Sequence, residues 1–384
     1  MPYAALQRHA LMTAYDPDMK PMRILFGSAH PYFPQMYGGA QSSTHELVTR
    51  LRARGHDVAV LAGLTGDGWL GLRARVLLKL SRQGYVRDDS LGYPVFRAWF
   101  ADQLAQRVVS DFNADVAIFQ SRLPVAMAQA IDRDKTRTFI YLRNVETVDL
   151  GGPLSAATKT GFIANSHFTA NRFAETDGVT AHVIHPMIEA ATYHVTSSRQ
   201  NVTFINPHPN KGVDVALQLA AACPDVPFVF VRGWGLTADQ ETHLQTHLAQ
   251  LPNVTLRPAT TDMRSVYKDA RIVLAPSQWE EAFGRIAAEA QVSGIPVIAS
   301  AIGGLPEAVG DGGILLPADA PIADWATALR HLWHDAAEYE AVSSRALAHA
   351  QRDEMIPERQ IDRLLDILKT PQQSVAQDGG TLRV

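Results

Sequence analysis

Short apolar runs alternate along the chain with segments whose apolar residues recur every three or four positions. Residues 23–27 (RILFG) read as a buried strand. Residues 40–54 put Thr44, Leu47, Val48 and Leu51 on one helical face, and Gly55 ends the run. Further strands are predicted at 57–63, 115–119, 137–142, 161–165 and 181–185, most of them separated by helices. That alternation predicts a parallel sheet with helices on both faces. Segment 186–201 breaks the pattern and reads as a linker. The alternation then restarts, with strands at 201–206, 227–231, 254–258, 271–276, 296–300 and 313–317 and helices at 211–223, 238–250 and 284–293. The expected fold is α/β, with two doubly wound Rossmann-like domains in tandem. They face a cleft at the carboxyl ends of their strands, where such folds bind ligands. The expected divisions are a flexible extension 1–21, a first domain 22–190 and a second domain 201–355. A helix 356–370 is expected to cross back to the first domain, and a polar tail 371–384 to be disordered.

Composition narrows the classes of function. A length of 384 residues suits two domains. The net charge of −4, from 35 basic and 39 acidic residues, argues against a general nucleic-acid binder. The one cysteine, Cys223, excludes an internal disulfide framework and lies in a helical pattern that points to the core. No apolar run approaches the roughly 18 residues of a membrane span, and the N-terminus lacks the apolar core of a signal peptide. A cytoplasmic location is the expectation. Segment 71–87 adds one feature. It carries Arg73, Arg75, Lys79, Arg82 and Arg87 with no acid, while Leu72, Val76, Leu77 and Leu80 can share a helical face. Such a helix either packs that face on its own domain or makes peripheral contact with an anionic membrane.

The candidate chemistry lies in 276–317. Strand 271–276 ends, a short loop follows, and a helix is predicted to begin near Phe283. Glu281 then lies just before the helix and Glu289 about two turns in. The amides of Phe283, Gly284, Arg285 and Ile286 are the unpaired donors of a first turn, suited to a diphosphate. Gly284 allows close approach of a ligand to the backbone. Glu289 is placed to accept from two vicinal ribose hydroxyls, and Glu281 to meet a sugar attached to the diphosphate. The plainer alternatives are a carboxylate at a helix dipole for Glu281 and an i,i+4 ion pair between Arg285 and Glu289. The pairing is the favoured reading of Arg285.

The whole block decides between them. Glu281-Ala-Phe-Gly-Arg-Ile-Ala-Ala-Glu289-Ala is followed by SGIPVIAS (293–300) and GGLPE (303–307). It resembles the retaining glycosyltransferases of family 4, which have the GT-B architecture. The resemblance implies that Glu281 contacts the donor sugar near the reaction centre. It implies that the amides of 283–286 hold sugar and diphosphate, and that Glu289 binds the ribose. It also places Lys211, in the Lys-Gly that follows the first strand of the second domain, beside the diphosphate of the departing nucleotide. Glu281 and Lys211 are thus the expected catalytic pair. Gly38 and Gly39 match the family's Gly-Gly loop in the first domain.

Four positions depart from the family. Arg285 stands where an aliphatic residue is usual. Asn206 stands where the family often has an arginine, so one donor-side cation is missing. Gln120 and Arg143 occupy positions where the family often carries histidines. Arg143 or Asn144 can bind an anionic acceptor or a donor phosphate, and His30, Tyr32 and Tyr37 are weaker acceptor-side candidates.

The expected function is a metal-independent hexosyltransferase that retains anomeric configuration, with a UDP- or GDP-sugar as donor, no cofactor and no resident metal. The acceptor is open among a glycan, a lipid carrier and a small molecule. Base recognition is expected around Ala259–Met263. Two alternatives share the architecture: a nucleotide-sugar epimerase or hydrolase, and a catalytically idle nucleotide-sugar-binding protein. A dinucleotide oxidoreductase is disfavoured, because the first strand runs into GSAHPYFPQMYGG rather than G-x-G-x-x-G.

Overall fold

The computed structural model describes residues 20–80, 83–132 and 134–370. Nearly all of the N-terminal extension, and the tail 371–384, fall outside them. The described chain forms two sheets, one in each of two compact units.

Among the described residues, the first unit comprises 20–165, 170–184 and 361–370. Its strands are β1 (Arg23–Pro31), β2 (Asp57–Gly63), β3 (Val86–Asp88), β4 (Val95–Ala98), β5 (Val116–Gln120), β6 (Arg137–Leu142), β7 (Gly161–Ala164) and β8 (Ala181–Val183). They lie in the order β3-β4-β2-β1-β5-β6-β7-β8, with only the β3–β4 pair antiparallel. The inner strands carry helices on both faces, so both sides of each strand are apolar. Ile24, Leu25, Phe26 and Val116–Phe119 are fully buried.

Sequence pattern did not predict β3 or β4, and the reason is physical. β3 is three residues long with only Asp88 buried, and the buried apolar run of β4 (Val95, Phe96, Ala98) is broken by Arg97. Arg97 is completely buried and meets Asp88 at 2.8 Å. The Arg97 guanidinium also donates to the carbonyls of Tyr32 and Phe33.

The terminal helix Pro357–Lys369 places Ile361, Leu364, Leu365 and Leu368 in the core. Its stretch from Ile361 belongs to the first unit, where Asp362 accepts from Arg54 at 2.8 Å and the Leu368 carbonyl accepts from Arg137.

The helix Gly68–Leu80 buries only Gly71 and Ala74. Trp69 (79%), Leu72 (56%), Val76 (59%) and Leu80 (79%) face solvent. The reading in which this apolar face packs on its own domain is therefore incorrect.

The second unit comprises Ser166–Thr169 and His185–Gln360. Its strands are β9 (Asn201–Ile205), β10 (Phe228–Val231), β11 (Val254–Arg257), β12 (Ala270–Ala275), β13 (Val297–Ser300) and β14 (Gly313–Leu316). The order is β11-β10-β9-β12-β13-β14, parallel throughout. The order reverses between β9 and β12. In a doubly wound sheet a ligand crevice opens at such a point, outside the carboxyl ends of the strands. Cys223 is fully buried in this core beside Phe204, Phe228 and Trp325.

Candidate functional site

Lys211 and Glu281 meet at the carboxyl ends of β9 and β12. Lys211 closes a 3-10 turn, Pro209–Lys211, directly after β9. Gly212 follows in the left-handed region (φ 79°), and a β-carbon there would lie 1.8 Å from the Pro276 carbonyl oxygen. Only glycine permits that approach. The Lys-Gly pair thereby locks the turn against the end of β12. Lys211 Nζ donates to Glu281 Oε1 at 2.7 Å, and Ser277 Oγ donates to the same oxygen at 2.6 Å. Both charged side chains are largely buried, with 15% and 17% exposure.

The Gly-Gly-x-Pro-Glu loop supports this carboxylate from behind. The Gly304 amide donates to the Glu281 carbonyl at 2.7 Å. A β-carbon at Gly303 (φ 61°) would meet the Glu281 backbone at 2.5 Å, and one at Gly304 the Ala282 carbonyl at 2.6 Å. The glycines are therefore required by the approach of two loops. Ser166 and Thr169 hydroxyls also hold the Ala282 carbonyl.

Glu307 ends the motif and accepts from the amides of His167 and Phe168 at 3.0 and 3.2 Å and from His185 Nε2. Burial pushes its pKa up, but these hydrogen bonds outweigh burial and hold the carboxyl below its ordinary value. His167, His185 and Glu307 form the single group with metal-ligand spacing among the described residues. The Glu307 carboxylate oxygens there already accept from two amides and a histidine, so the arrangement reads as a structural clamp.

The helix after Glu281 starts later than the pattern indicates. It spans Arg285–Gln291, because Gly284 adopts φ 98° and interrupts the helical run. Phe283 and Gly284 therefore present loop amides, not first-turn amides. Phe283 is buried at 2% exposure. Gly284 packs so closely on Leu305 that a β-carbon would come within 2.6 Å. Arg285 and Ile286 open the helix, and the Ala287 amide is satisfied by the Gly284 carbonyl at 3.0 Å.

Glu289 does not present free oxygens. It is 6% exposed; Oε1 accepts from Arg285 Nε at 3.1 Å and Oε2 from the Tyr267 hydroxyl at 2.9 Å. Arg285 also donates to the Tyr193 hydroxyl at 2.8 Å and the Met187 carbonyl at 3.4 Å. Burial and the Glu289 charge push Tyr267 well above its ordinary pKa, so it stays a donor. The i,i+4 pair is present, and a ribose hydroxyl at Glu289 has to exchange with these partners.

Sequence reasoning missed two tryptophans. The Lys211 ammonium lies 4.8 Å from the Trp234 ring centre and 5.5 Å from that of Trp279. Trp234 follows β10 and Trp279 lies two residues before Glu281. The isolated aromatic in each loop was the only available signal. Asn206 adopts φ 65° and its Oδ1 accepts from the Trp234 amide at 2.9 Å.

In the first unit, the helix Gly39–Ala53 begins at the second glycine of the Gly-Gly loop. Its Ala40 carbonyl accepts from Thr44 at 2.7 Å and from Arg143 at 3.1 Å. Gln120 in turn donates to Thr44 Oγ1 at 2.7 Å. The Arg143 guanidinium lies 4.1 Å over the Tyr141 ring, and Asn144 follows it, half-buried. His30 lies near the carboxyl end of β1 with Nδ1 buried and no hydrogen-bond partner among the described residues. Burial lowers its pKa; Asp149 opposes that shift and Arg122 adds to it. Tyr37 is exposed, whereas Tyr32 is buried against Tyr93 at 3.0 Å.

Residues 37–192 match the model of Glycosyltransferase Family 4, and residues 199–335 match that of Glycosyl transferases group 1. The chain belongs to glycosyltransferase family 4.

Among sequence relatives, a D-inositol 3-phosphate glycosyltransferase of Mycolicibacterium gilvum is 37% identical over 189 residues. The match covers 44% of this chain and 42% of the relative. The corresponding protein of Mycolicibacterium vanbaalenii is 33% identical over 198 residues, covering 44% and 43%. These matches span less than half of the relatives' length. Among solved structures, Anabaena Alr3699/HepE in complex with UDP and glucose aligns with TM-score 0.72 and 20% identity, over 90% of this chain and 99% of that one. A glycosyltransferase from Rickettsia africae aligns with TM-score 0.71 and 16% identity, over 91% and 98%. Both share the GT-B fold. Asn206 and Arg285 each have hydrogen-bond partners of their own within the second unit.

Proposed function

We propose that this chain is a retaining glycosyltransferase that moves a hexose from a UDP- or GDP-sugar to an acceptor hydroxyl without a metal ion. The observation that carries the reading is the Lys211–Glu281 pair, fixed where β9 and β12 diverge by glycines that the packing requires. The Lys211 ammonium offsets charge growing on the departing diphosphate. Glu281 holds hydroxyls of the donor sugar, and the loop amides at Phe283 and Gly284 face the phosphates. Glu289 takes the ribose by exchanging Arg285 for its hydroxyls. Arg143 and Asn144 favour an anionic acceptor, which agrees in charge with the inositol phosphate in the relatives' names. The test is incubation with UDP- and GDP-glucose, with and without D-inositol 3-phosphate and simple glycans. Nucleotide release is followed, and the anomeric proton is read by NMR. Acceptor-dependent release with a retained anomer is expected. An epimer or free sugar alone assigns the chain to the epimerase or hydrolase alternative, and binding without turnover assigns it to the idle one.

We also propose that the acceptor is met at an anionic membrane surface. At about 100° per residue, Trp69, Leu72, Val76 and Leu80 fall within an arc of roughly 80°. That stripe lies opposite Gly71 and Ala74, the buried side, and is flanked by Arg73 on one edge and Lys79 and Arg75 on the other. An exposed apolar stripe between cations fits an anionic bilayer surface. No helix among the described residues is long and apolar enough to cross a membrane. The protein is expected to co-sediment with phosphatidylglycerol-containing vesicles at low salt and to be released by salt. Leu72→Glu with Val76→Glu should abolish pelleting. No binding of the unmodified protein to these vesicles at low salt rules out the membrane contact.

A further inference from the structure

The resemblance implies an arginine at the end of β9, where this chain has Asn206, and the structure shows what surrounds Lys211 there. Asn206 makes a different contact. Its carboxamide caps the Trp234 amide at 2.9 Å and fixes the loop after β10. Gly233 permits this, because a β-carbon there would lie 2.7 Å from the Asn206 side chain. Trp234 then stands edge-on to Trp279 (ring centres 5.9 Å apart, 67° between planes) and to His208 (5.4 Å, 73°). The Lys211 ammonium lies over both indoles while bonded to Glu281. Trp279 Nε1 is buried without a hydrogen-bond partner among the described residues. No core packing demands this arrangement, since Trp234 is 44% exposed.

We infer that Asn206, Trp234 and Trp279 form a positioning unit that holds the Lys211 ammonium on the donor diphosphate, in place of the arginine this chain lacks. The inference rests on the donor-site reading above. A lysine is a flexible point charge with four rotatable bonds. Two electron-rich faces restrict where its ammonium lies without adding a competing charge. The aromatic pair supplies direction, so the single cation reaches the phosphates already ordered.

The experiment is isothermal titration of the full chain with UDP and GDP at low and moderate salt, together with tryptophan emission during the same titrations. Trp234→Leu and Trp279→Leu are expected to weaken nucleotide binding about tenfold, the range open to a partly desolvated cation–π contact. Trp234→Phe should retain most of the affinity, because a ring still faces the ammonium. Binding should change the emission of the unmodified chain as the ammonium shifts from indole to phosphate. A Trp234→Phe/Trp279→Phe double variant should bind without that change. A merely structural role would lower the melting temperature of the leucine variants and leave their affinity and the emission response intact. Leucine variants that bind as tightly as the unmodified chain overturn the inference alone. An unmodified chain that binds neither nucleotide overturns the donor-site reading and this inference together.

Discussion

Lys211→Ala is expected to lower kcat/KM for the nucleotide sugar by about 10²–10³-fold, the usual cost of removing one preorganised group at a site of developing charge. The loss should fall on both donor binding and kcat, because the diphosphate is already charged in the ground state and its negative charge grows in the transition state. The expectation is large here for a local reason. Asn206 carries no charge, so position 206 offers no reserve cation. The substitution also leaves Glu281 with Ser277 as its remaining hydrogen-bond donor at that oxygen. Lys211→Met, which keeps the aliphatic stem and loses the charge, should behave like alanine. A loss smaller than about tenfold in both variants means that the departing nucleotide is stabilised elsewhere. Nucleotide release under saturating donor is the measurement.

Arg285→Leu is the second large effect, and it concerns stability. Glu289 is 6% exposed, and its Oε1 relies on Arg285. Breaking a buried ion pair by removing one partner costs about 3 kcal/mol or more, which in a unit of this size lowers the melting temperature by roughly 6–12 °C. Adding Glu289→Gln removes the stranded charge, so the double variant should recover at least about 1 kcal/mol relative to additive costs. A donor nucleotide should raise the melting temperature of Arg285→Leu more than that of the unmodified protein, because the freed carboxylate accepts ribose hydroxyls without first releasing the guanidinium. Additive costs in the double variant would show that Arg285 and Glu289 act separately.

Much of this was legible in the sequence, for identifiable reasons. Strands such as β1, β5, β9 and β12 are buried on both faces, so they appear as continuous apolar runs between amphipathic helices. The block from Glu281 to Glu307 was legible because its spacing reflects backbone approach. Gly303 and Gly304 lie on the Glu281–Ala282 backbone, and no side chain substitutes there. What escaped depends on contacts between distant segments. Strands β3 and β4 are pinned by the Asp88–Arg97 pair, which looks polar to any hydrophobic pattern. The late helix start at Arg285 follows from the left-handed Gly284, and a local pattern does not show which glycine turns that way. The enclosure of Glu289 and its partner Arg285 needs Tyr267 and Tyr193, on two short helices, and the cage around Lys211 needs Trp234 and Trp279, from two separate loops. The apolar face of Leu72, Val76, Leu77 and Leu80 was visible in the sequence, but only the fold shows that Trp69 joins the exposed stripe, that Leu77 is half-buried and which side of that helix is buried.

The proposed site in the second unit holds a nucleoside-diphosphate sugar through Lys211 and Glu281. Isothermal titration of the full chain with UDP-, GDP-, ADP- and TDP-glucose tests it most directly, with Lys211→Ala measured in parallel. The account predicts saturable one-to-one binding of a UDP- or GDP-sugar that weakens at least tenfold in Lys211→Ala. No heat of binding with any of the four, or equal binding by the variant, would contradict it.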